Sequence, residues 1–350
     1  MTDFFLRIKQ QQEQQLPFVM FRKPDDKRLV SYLQSNDHLY FIDDYSEKGF
    51  VIAPFNGEPI PYFPESESEI HTAGWFERKE KVSTSPDCNS QTQKNSFEKL
   101  VDSAILSIEK GEFKKVVLSR KEDCSIGDFD AVTAFENLLG SYPSAFVYCW
   151  YHPKIGMWLG ASPEQLLRCD GRRFSTVALA GTQKFNGSSN VKWHQKEKEE
   201  QQFVTDFLLE SIRPFASELI VSSPYTARAG KLLHIKTDIE GIFKKEATVK
   251  DALQAIQPTP AVCGLPRREA LNFIFANEGY DREFYTGFLG EINSGPETEP
   301  FTDLYVNLRC MKIAESTASI YVGCGVTKDS NAEKEYLETV DKSMTIKEIL

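Results

Sequence analysis

The stretch FKKVVLSRKED, Phe113 to Asp123, decides how this chain is read. Its apolar, β-branched centre makes a strand, and in a strand successive side chains face opposite ways. Val116, Leu118 and Arg120 therefore share one face, while Lys115, Val117 and Ser119 share the other. That alternation puts an ammonium on an apolar wall. A desolvated lysine has its pKa lowered and can act as a base near neutral pH, whereas a lysine at a strand end simply reaches into water. The strand by itself leaves both readings open.

Upstream, Ser96 reads as the N-cap of a helix whose apolar positions Leu100, Val101, Ala104, Ile105 and Ile108 follow the helical period, with Gly111 past its end. Ser83 to Ser96, STSPDCNSQTQKNS, is polar and reads as a surface linker. The residues before it carry one helix and short strands such as Leu39 to Ile42 and Phe50 to Ala53. Downstream, Phe146 to Tyr151 and Ile155 to Ser162 form a predicted hairpin, and a second turn falls at Asp170-Gly171. Helical spacing returns from Trp193 to Ile212 and from Leu253. EFYTGFLGEIN, DLYVNLRCMKI and SIYVGCGV read as further strands. This order predicts an α+β layered domain; there is no internal repeat, and no GxGxxG or Walker sequence supports a doubly wound nucleotide fold.

The 350 residues can hold two average domains or one large one, and 41% hydrophobic content is ordinary for a globular protein. A net charge of -10 argues against nucleic acid as the partner, but not against an anionic small molecule met by a local basic cluster or a bound cation. The N-terminal MTDFFLRIKQQQEQQ lacks the apolar core of a secretory signal, and no run is long enough to span a bilayer. The seven cysteines are odd in number, scattered and without CxxC spacing, which predicts neither a disulfide framework nor a zinc site and fits a reducing cytoplasm.

Two segments carry paired carboxylates. KEKEEQQFVTDFLL presents Glu197 and Glu200 on one helix face beside Lys196, and NAEKEYLETVDKSM repeats the device with Glu335, Glu338 and Lys342. If these helices face each other, four hard oxygen ligands converge, as magnesium prefers; taken singly, each is also an ordinary solvated acidic face. Gly323 and Gly325, just before the second helix, let a ligand approach the backbone. In GASPE, Glu164 can act as a general acid if desolvated, or can be a solvated turn residue. Gly181 and Thr182 in VALAGT offer an N–H and a hydroxyl, or a plain β-turn. His234 in LLHIKT reads as structural, and Arg309 in YVNLR can clamp a carboxylate or pair with a surface acid.

Together these segments resemble the chorismate-utilising enzymes, the family of isochorismate, salicylate, anthranilate and aminodeoxychorismate synthases. KVVLSR, GASPE, ALAGT, LHIKT, QPTPAVCGLP, FYTGFLGEI, NLR and YVGCGV occur in the family's order from about Phe97 onward. The resemblance implies one large layered α/β domain, two antiparallel sheets stacked between helices, with residues 1–95 its divergent N-terminal part and 97–350 the chorismate-binding region. It implies magnesium as cofactor, chorismate as substrate, and no obligatory glutaminase subunit. Lysine in KVVLSR, where anthranilate synthases typically have glutamine, marks water as the nucleophile. Ala180 stands where aminodeoxychorismate synthases carry a nucleophilic lysine.

On this resemblance Lys115 deprotonates the water that attacks C2 of chorismate, and Glu164 protonates the departing C4 hydroxyl. Glu200 and Glu338 ligate magnesium, with Glu197 and Glu335 holding its waters. Gly181, Thr182, Tyr285, Arg309, Gly325 and Lys342, with Gly323 beside them, hold the substrate, and His234 lies near the ring. The family's EHE-like run is here Glu200-Gln201-Gln202, which leaves Glu200 intact. Ala261-Val262 stand where lyase-active members are often polar, so the resemblance implies an isochorismate synthase, an isomerase feeding menaquinone or siderophore synthesis, ahead of a salicylate synthase. An ammonia-using synthase and a non-catalytic chorismate-binding regulator are the further alternatives.

Overall fold

The structure, a computed structural model, describes residues 3–75, 88, 91–229 and 232–350. In chain order its elements are α1 (Asp3–Glu13), β1 (Phe18–Arg22), β2 (Arg28–Gln34), β3 (Tyr40–Phe41), β4 (Gly49–Ala53), β5 (Pro61–Pro64), β6 (Ser68–Gly74), α2 (Gln91–Glu109), β7 (Lys115–Ser125), α3 (Ala131–Ser141), β8 (Phe146–His152), β9 (Gly156–Ser162), β10 (Gln165–Asp170) and β11 (Arg173–Lys184). There follow α4 (Gln195–Ile212), β12 (Ala216–Val221), β13 (Tyr225–Ala229), β14 (Leu232–Phe243), α5 (Val249–Ile256), β15 (Gly264–Leu265), α6 (Arg267–Asn277), β16 (Phe288–Ser294), β17 (Phe301–Val306), β18 (Cys310–Ala314), β19 (Thr317–Val326) and α7 (Ala332–Lys347).

The strands form two antiparallel sheets. One runs β15-β7-β19-β18-β9-β8-β1-β2-β6, the other β12-β14-β11-β10-β17-β16-β4-β5-β3, with β13 also on β14. The early strands β1 to β6 are shared between both sheets. Alternation gives each sheet two apolar faces. The facing pair encloses an aromatic core of Phe21, Tyr32, Phe50, Phe146, Trp150, Trp158, Tyr305 and Tyr321. Phe146 of the first sheet stacks on Tyr305 of the second, with ring centroids 4.2 Å apart. On the outer face of the first sheet Phe5, Phe135 and Leu138 of α1 and α3 form one core, and Val101, Phe273 and Tyr336 of α2, α6 and α7 form another. Val204, Leu208 and Leu253 of α4 and α5 cover the second sheet. The expected α+β layering is therefore what the chain adopts.

The strand β7 keeps the alternation expected of it: Val116 and Leu118 enter the core under α2 and α6, while Lys115 faces the other way with no exposed surface. Arg120 turns toward α7, where Nε donates to Thr339 Oγ1 (2.6 Å) and the guanidinium bonds Glu122. Lys347 Nζ lies 2.7 Å from the other oxygen of Glu122, and both side chains are buried.

Several boundaries differ from expectation. Helix α2 begins at Gln91, so Ser96 lies inside it rather than capping it. Polar side chains carry the extra turn, Gln91 bonding Asn95 at 2.9 Å and Lys94 pairing with Glu98 and Glu333. The rest of the expected linker, 83–87 and 89–90, lies outside the described residues. Helix α6 has no counterpart among the expected elements; it follows directly on the prolines of QPTPAVCGLP. EFYTGFLGEIN becomes a strand only from Phe288, with Tyr285 in a turn between Glu283 (φ 50) and Thr286 (φ 63). DLYVNLRCMKI is two strands in different sheets. Cys88 and Cys124 form a disulfide with Cα atoms 5.1 Å apart, across 36 residues of chain that give no spacing signal; it removes the cysteine argument for a reducing compartment. Among the described residues no helix is long and apolar enough to cross a membrane.

Glu122→Ala leaves Arg120 and Lys347 buried without their carboxylate. The expected cost is about 3–5 kcal/mol, read as a lower urea midpoint at unchanged m. A loss under about 1 kcal/mol, as for a surface pair, would show that the network is not buried in solution.

Candidate active site

Two crossings between the sheets set the site. The chain leaves β9 for β10 through Pro163 and Glu164, and leaves β17 for β18 through Asn307 to Arg309. The crossings are bonded to each other: Val306 N donates to Glu164 O (3.0 Å), Ala161 N to Arg309 O (3.1 Å), and Ser162 Oγ to Val306 O. Beside them lies a cleft whose walls include Val117, Glu164, Ala180, Gly181, Thr182 and Glu200. His234, Ala261, Val262, Tyr285, Thr286, Arg309, Gly323, Gly325, Glu338 and Lys342 also line it.

Lys115 Nζ stands 3.0 Å from Glu200 Oε1, yet is not aligned with any acceptor for a hydrogen bond. Gly325 on the neighbouring strand makes room for the pair: a Cβ there would meet Glu200 Oε1 at 2.5 Å and Lys115 Cε at 3.1 Å. Burial opposes ionisation of Glu200, but Lys115, helped by Lys342 and Lys196, holds its carboxyl below the ordinary range. Glu164 is the contrasting acid. It is 4% exposed, and burial, only partly offset by Lys115, Arg309 and Lys342, pushes it up to about 8. At neutral pH Glu164 thus carries a proton it can donate, while Glu200 is ionised.

Gly181 and Thr182 are not a turn but a β-bulge, since the register of β11 on β14 shifts between Ala180 and Gln183. Gly181 has φ +73, and its carbonyl accepts from Nδ1 of His234 at 2.8 Å. The carbonyl has no hydrogen to give, so Nδ1 carries the ring proton and Nε2, buried without a partner, is an acceptor. Burial pushes His234 down to about 3 and keeps the ring neutral. Tyr285 places its hydroxyl against Gly323, 3.0 Å from where a Cβ would stand. Arg309 adopts φ 48 at its crossing, and burial lowers its guanidinium. Among the described residues no carboxylate forms an ion pair with it.

The four helical carboxylates reach the same region without meeting at one point, contrary to the expected convergence. Among the described residues no three His, Cys, Asp or Glu side chains are grouped to hold a metal ion. The reason is that each of three has a lysine: Glu200 has Lys115, Glu335 has Lys196 at 2.6 Å, and Glu338 has Lys342 at 2.7 Å. Lys342 also donates to Gly323 O at 3.0 Å. What does fit a hard divalent cation is the donor set, four glutamates on two helices joined by the Lys196–Glu335 bridge, with Glu197 Oε2 buried and unpartnered. Gln201 turns away from them and donates to Thr205 and Thr237.

Asn307 was not anticipated. Fully buried, it donates to Phe284 O, accepts from the Tyr148 hydroxyl, and its backbone bonds Gly287 O and Thr286 N. It thereby ties the Tyr285 turn to the Arg309 crossing. An asparagine inside a strand-like run is the signal that could have found it.

A buried acid held protonated, a buried lysine beside an ionised carboxylate, and cations in one cleft define a site for acid–base chemistry on an anionic molecule. The family model described as chorismate binding enzyme matches residues 65–350, and the chain belongs to that family. It is 31% identical over 270 residues to the salicylate biosynthesis isochorismate synthase of Pseudomonas aeruginosa, covering 75% of this chain and 56% of that protein. It is 30% identical over 264 residues to isochorismate synthase EntC of Escherichia coli K12, covering 73% and 66%. The matches thus span between about half and two thirds of these relatives' length. The solved structure of MenF, the menaquinone-specific isochorismate synthase of Escherichia coli, shares the fold with a TM-score of 0.81 at 20% identity, covering 95% of this chain and 88% of that one.

Between the ordinary glutamate value of 4.5 and about 8, the folded protein keeps a proton on Glu164 that the unfolded chain has released. Stability from this group therefore falls as pH rises through that window and levels off above it. Glu164→Gln cannot ionise, so its Tm relative to the parent should climb with pH over the window. A difference independent of pH would sink the buried acid.

Proposed function

We propose that the chain is a magnesium-dependent isochorismate synthase, acting on chorismate with water as nucleophile. The observation that carries the reading is Glu164, a carboxyl buried in the cleft and protonated up to about pH 8, within electrostatic reach of the buried Lys115. The names of the sequence relatives above, both isochorismate synthases, support the same reaction.

Arg309, Lys342 and the Gly181-Thr182 bulge would receive the substrate carboxylates, and Nε2 of His234 would accept from a substrate hydroxyl. Glu200 and Glu338, with Glu197 and Glu335 around them, would hold magnesium, which when bound supplies positive charge against a carboxylate. Once Glu200 no longer holds it as an ammonium, Lys115 would shed its proton, and the neutral Nζ then takes one from water as the water oxygen bonds C2. The ring double bonds shift toward C4, the C4–O bond breaks, and the departing oxygen takes the proton of Glu164 and leaves as water. Ala180 offers no nucleophile, and Ala261 and Val262 give this wall of the cleft no acid or base for removing pyruvate.

Purified protein given chorismate and magnesium should yield isochorismate without ammonium, and Lys115→Ala should lower kcat about 10²–10⁴-fold. Salicylate as the direct product, or turnover only with ammonium, would overturn the proposal.

Gly325→Ala should displace the Glu200 carboxylate from Lys115 and lower kcat on the order of hundredfold while far-UV circular dichroism stays unchanged. Undiminished turnover would mean that the pair needs no such clearance.

A further inference from the structure

Arg282 does not line the cleft, but it touches three of its walls. It is 2% exposed and sits between α6 and the Tyr285 turn. All five of its N–H groups are used. Nε donates to Glu278 Oε2 (2.8 Å); Nη2 donates to Glu278 Oε1 and to Val117 O (2.7 Å). Nη1 donates to Val262 O (3.0 Å) and Thr286 Oγ1 (3.2 Å). Val117, Val262 and Thr286 each line the cleft, and each belongs to a different segment: β7 two residues past Lys115, the loop between α5 and β15, and the turn that carries Tyr285.

The counter-ion joins the same walls. Glu278 accepts the backbone N–H of Ser119 at 2.7 Å and its hydroxyl at 3.0 Å, which grips β7 a second time on the Lys115 face. The ring of Phe55 covers the guanidinium at 4.4 Å. Apart from this ion pair, the loop meets β7 through Val117 N to Cys263 O, the two-residue strand β15 and the packing of Cys263 in the core with Val116 and Leu118. A guanidinium is suited to this junction because its planar fork sends donors in several fixed directions. An ammonium offers three donors from a single point and cannot reach all three acceptors.

We propose that Arg282 and Glu278 form the positioning pair of the cleft, fixing the separation between the Lys115 strand, the Ala261-Val262 loop and the Tyr285 turn. In its kinetic form the inference rests on the proposed reaction, since base and substrate-holding groups stand on the three walls that this pair joins at one point. A displacement of about 1 Å between such groups costs roughly a hundredfold in rate.

The test is Arg282→Lys in the full chain, assayed with magnesium and chorismate well below its measured Tm. The expected result is a kcat about a hundredfold lower with KM within about threefold, because the carboxylate-binding groups remain while their placement relative to Lys115 does not. Hydrogen exchange, which needs no activity, should quicken in peptides covering 259–265 and 284–287 and stay unchanged in β8 and β9. If Arg282→Lys does not fold, Glu278→Gln, which keeps the guanidinium and the volume, carries the same measurements. Parental kcat per folded molecule, or exchange that rises evenly through the chain, would reduce the pair to a general stabiliser and overturn the proposal. A parental protein inert toward chorismate sinks the proposed reaction instead, and the exchange pattern then decides the positioning pair by itself.

Discussion

Lys115 has no exposed surface, and an ammonium taken out of water costs several kcal/mol unless a counter-charge is close. Its counter-charge, Glu200, belongs to α4, which packs on the opposite sheet from the one that holds β7. The pair can therefore form only when the two sheets are stacked and α4 is seated. Gly325 on β19 must also leave the space through which the carboxylate reaches the lysine. One ion pair thus ties a strand, its neighbour and a helix of the other layer to a single geometry. It also leaves a charged donor not fully satisfied, which is an arrangement with capacity for a further ligand.

The crossings between sheets explain why the other groups stand where they do. A strand that changes sheet must abandon its ladder for a few residues, and its backbone groups then need partners outside regular pairing. Glu164 and Arg309 occupy those residues, so their side chains point into the joint between layers rather than into a sheet face. Their carbonyls accept from Val306 N and Ala161 N instead, and Asn307 bonds the backbone of the neighbouring Tyr285 turn. The bulge at Gly181-Thr182 disturbs the second sheet beside the same joint and lets His234 bond a carbonyl that a regular ladder would have used. The irregular backbone is gathered in one place because the two crossings bond to each other.

What was legible in the sequence follows from periodicity. Alternation gave the face of Lys115, and three-residue spacing gave the paired glutamates of α4 and α7, because both patterns are local. The hairpin from Phe146 to Ser162 was readable for the same reason. The break inside YVNLR was not, since a crossing looks like a continued strand until the partner strands are known. The i, i+4 pair of Glu338 and Lys342 is local and equally readable, but sequence could not say that Glu200 and Glu335 each take a lysine, because Lys115 and Lys196 lie on elements far from their partners in the chain. Cys88 and Cys124 stayed hidden likewise, and α6, directly after the prolines, was not among the expected elements.

Formal charges at the cleft bear on how an acidic protein of net -10 could hold a dianion. Glu197, Glu200, Glu335 and Glu338 are set against Lys115, Lys196, Lys342 and Arg309, with Glu164 protonated and His234 neutral. Four charges of each sign cancel, so the cleft itself offers a dianion no net attraction. Arg309, the cation without a carboxylate partner, can meet one substrate carboxylate. The second would face the helical glutamates, and a like-charge approach in a buried site is costly. A divalent cation arriving with the dianion would, on the proposed function, keep the sum at zero, and the glutamates would then be free to turn from the lysines toward it. On the proposed function, metal and substrate are therefore expected to bind with positive coupling, and the lysine pairs are what keep four carboxylates close together before either arrives.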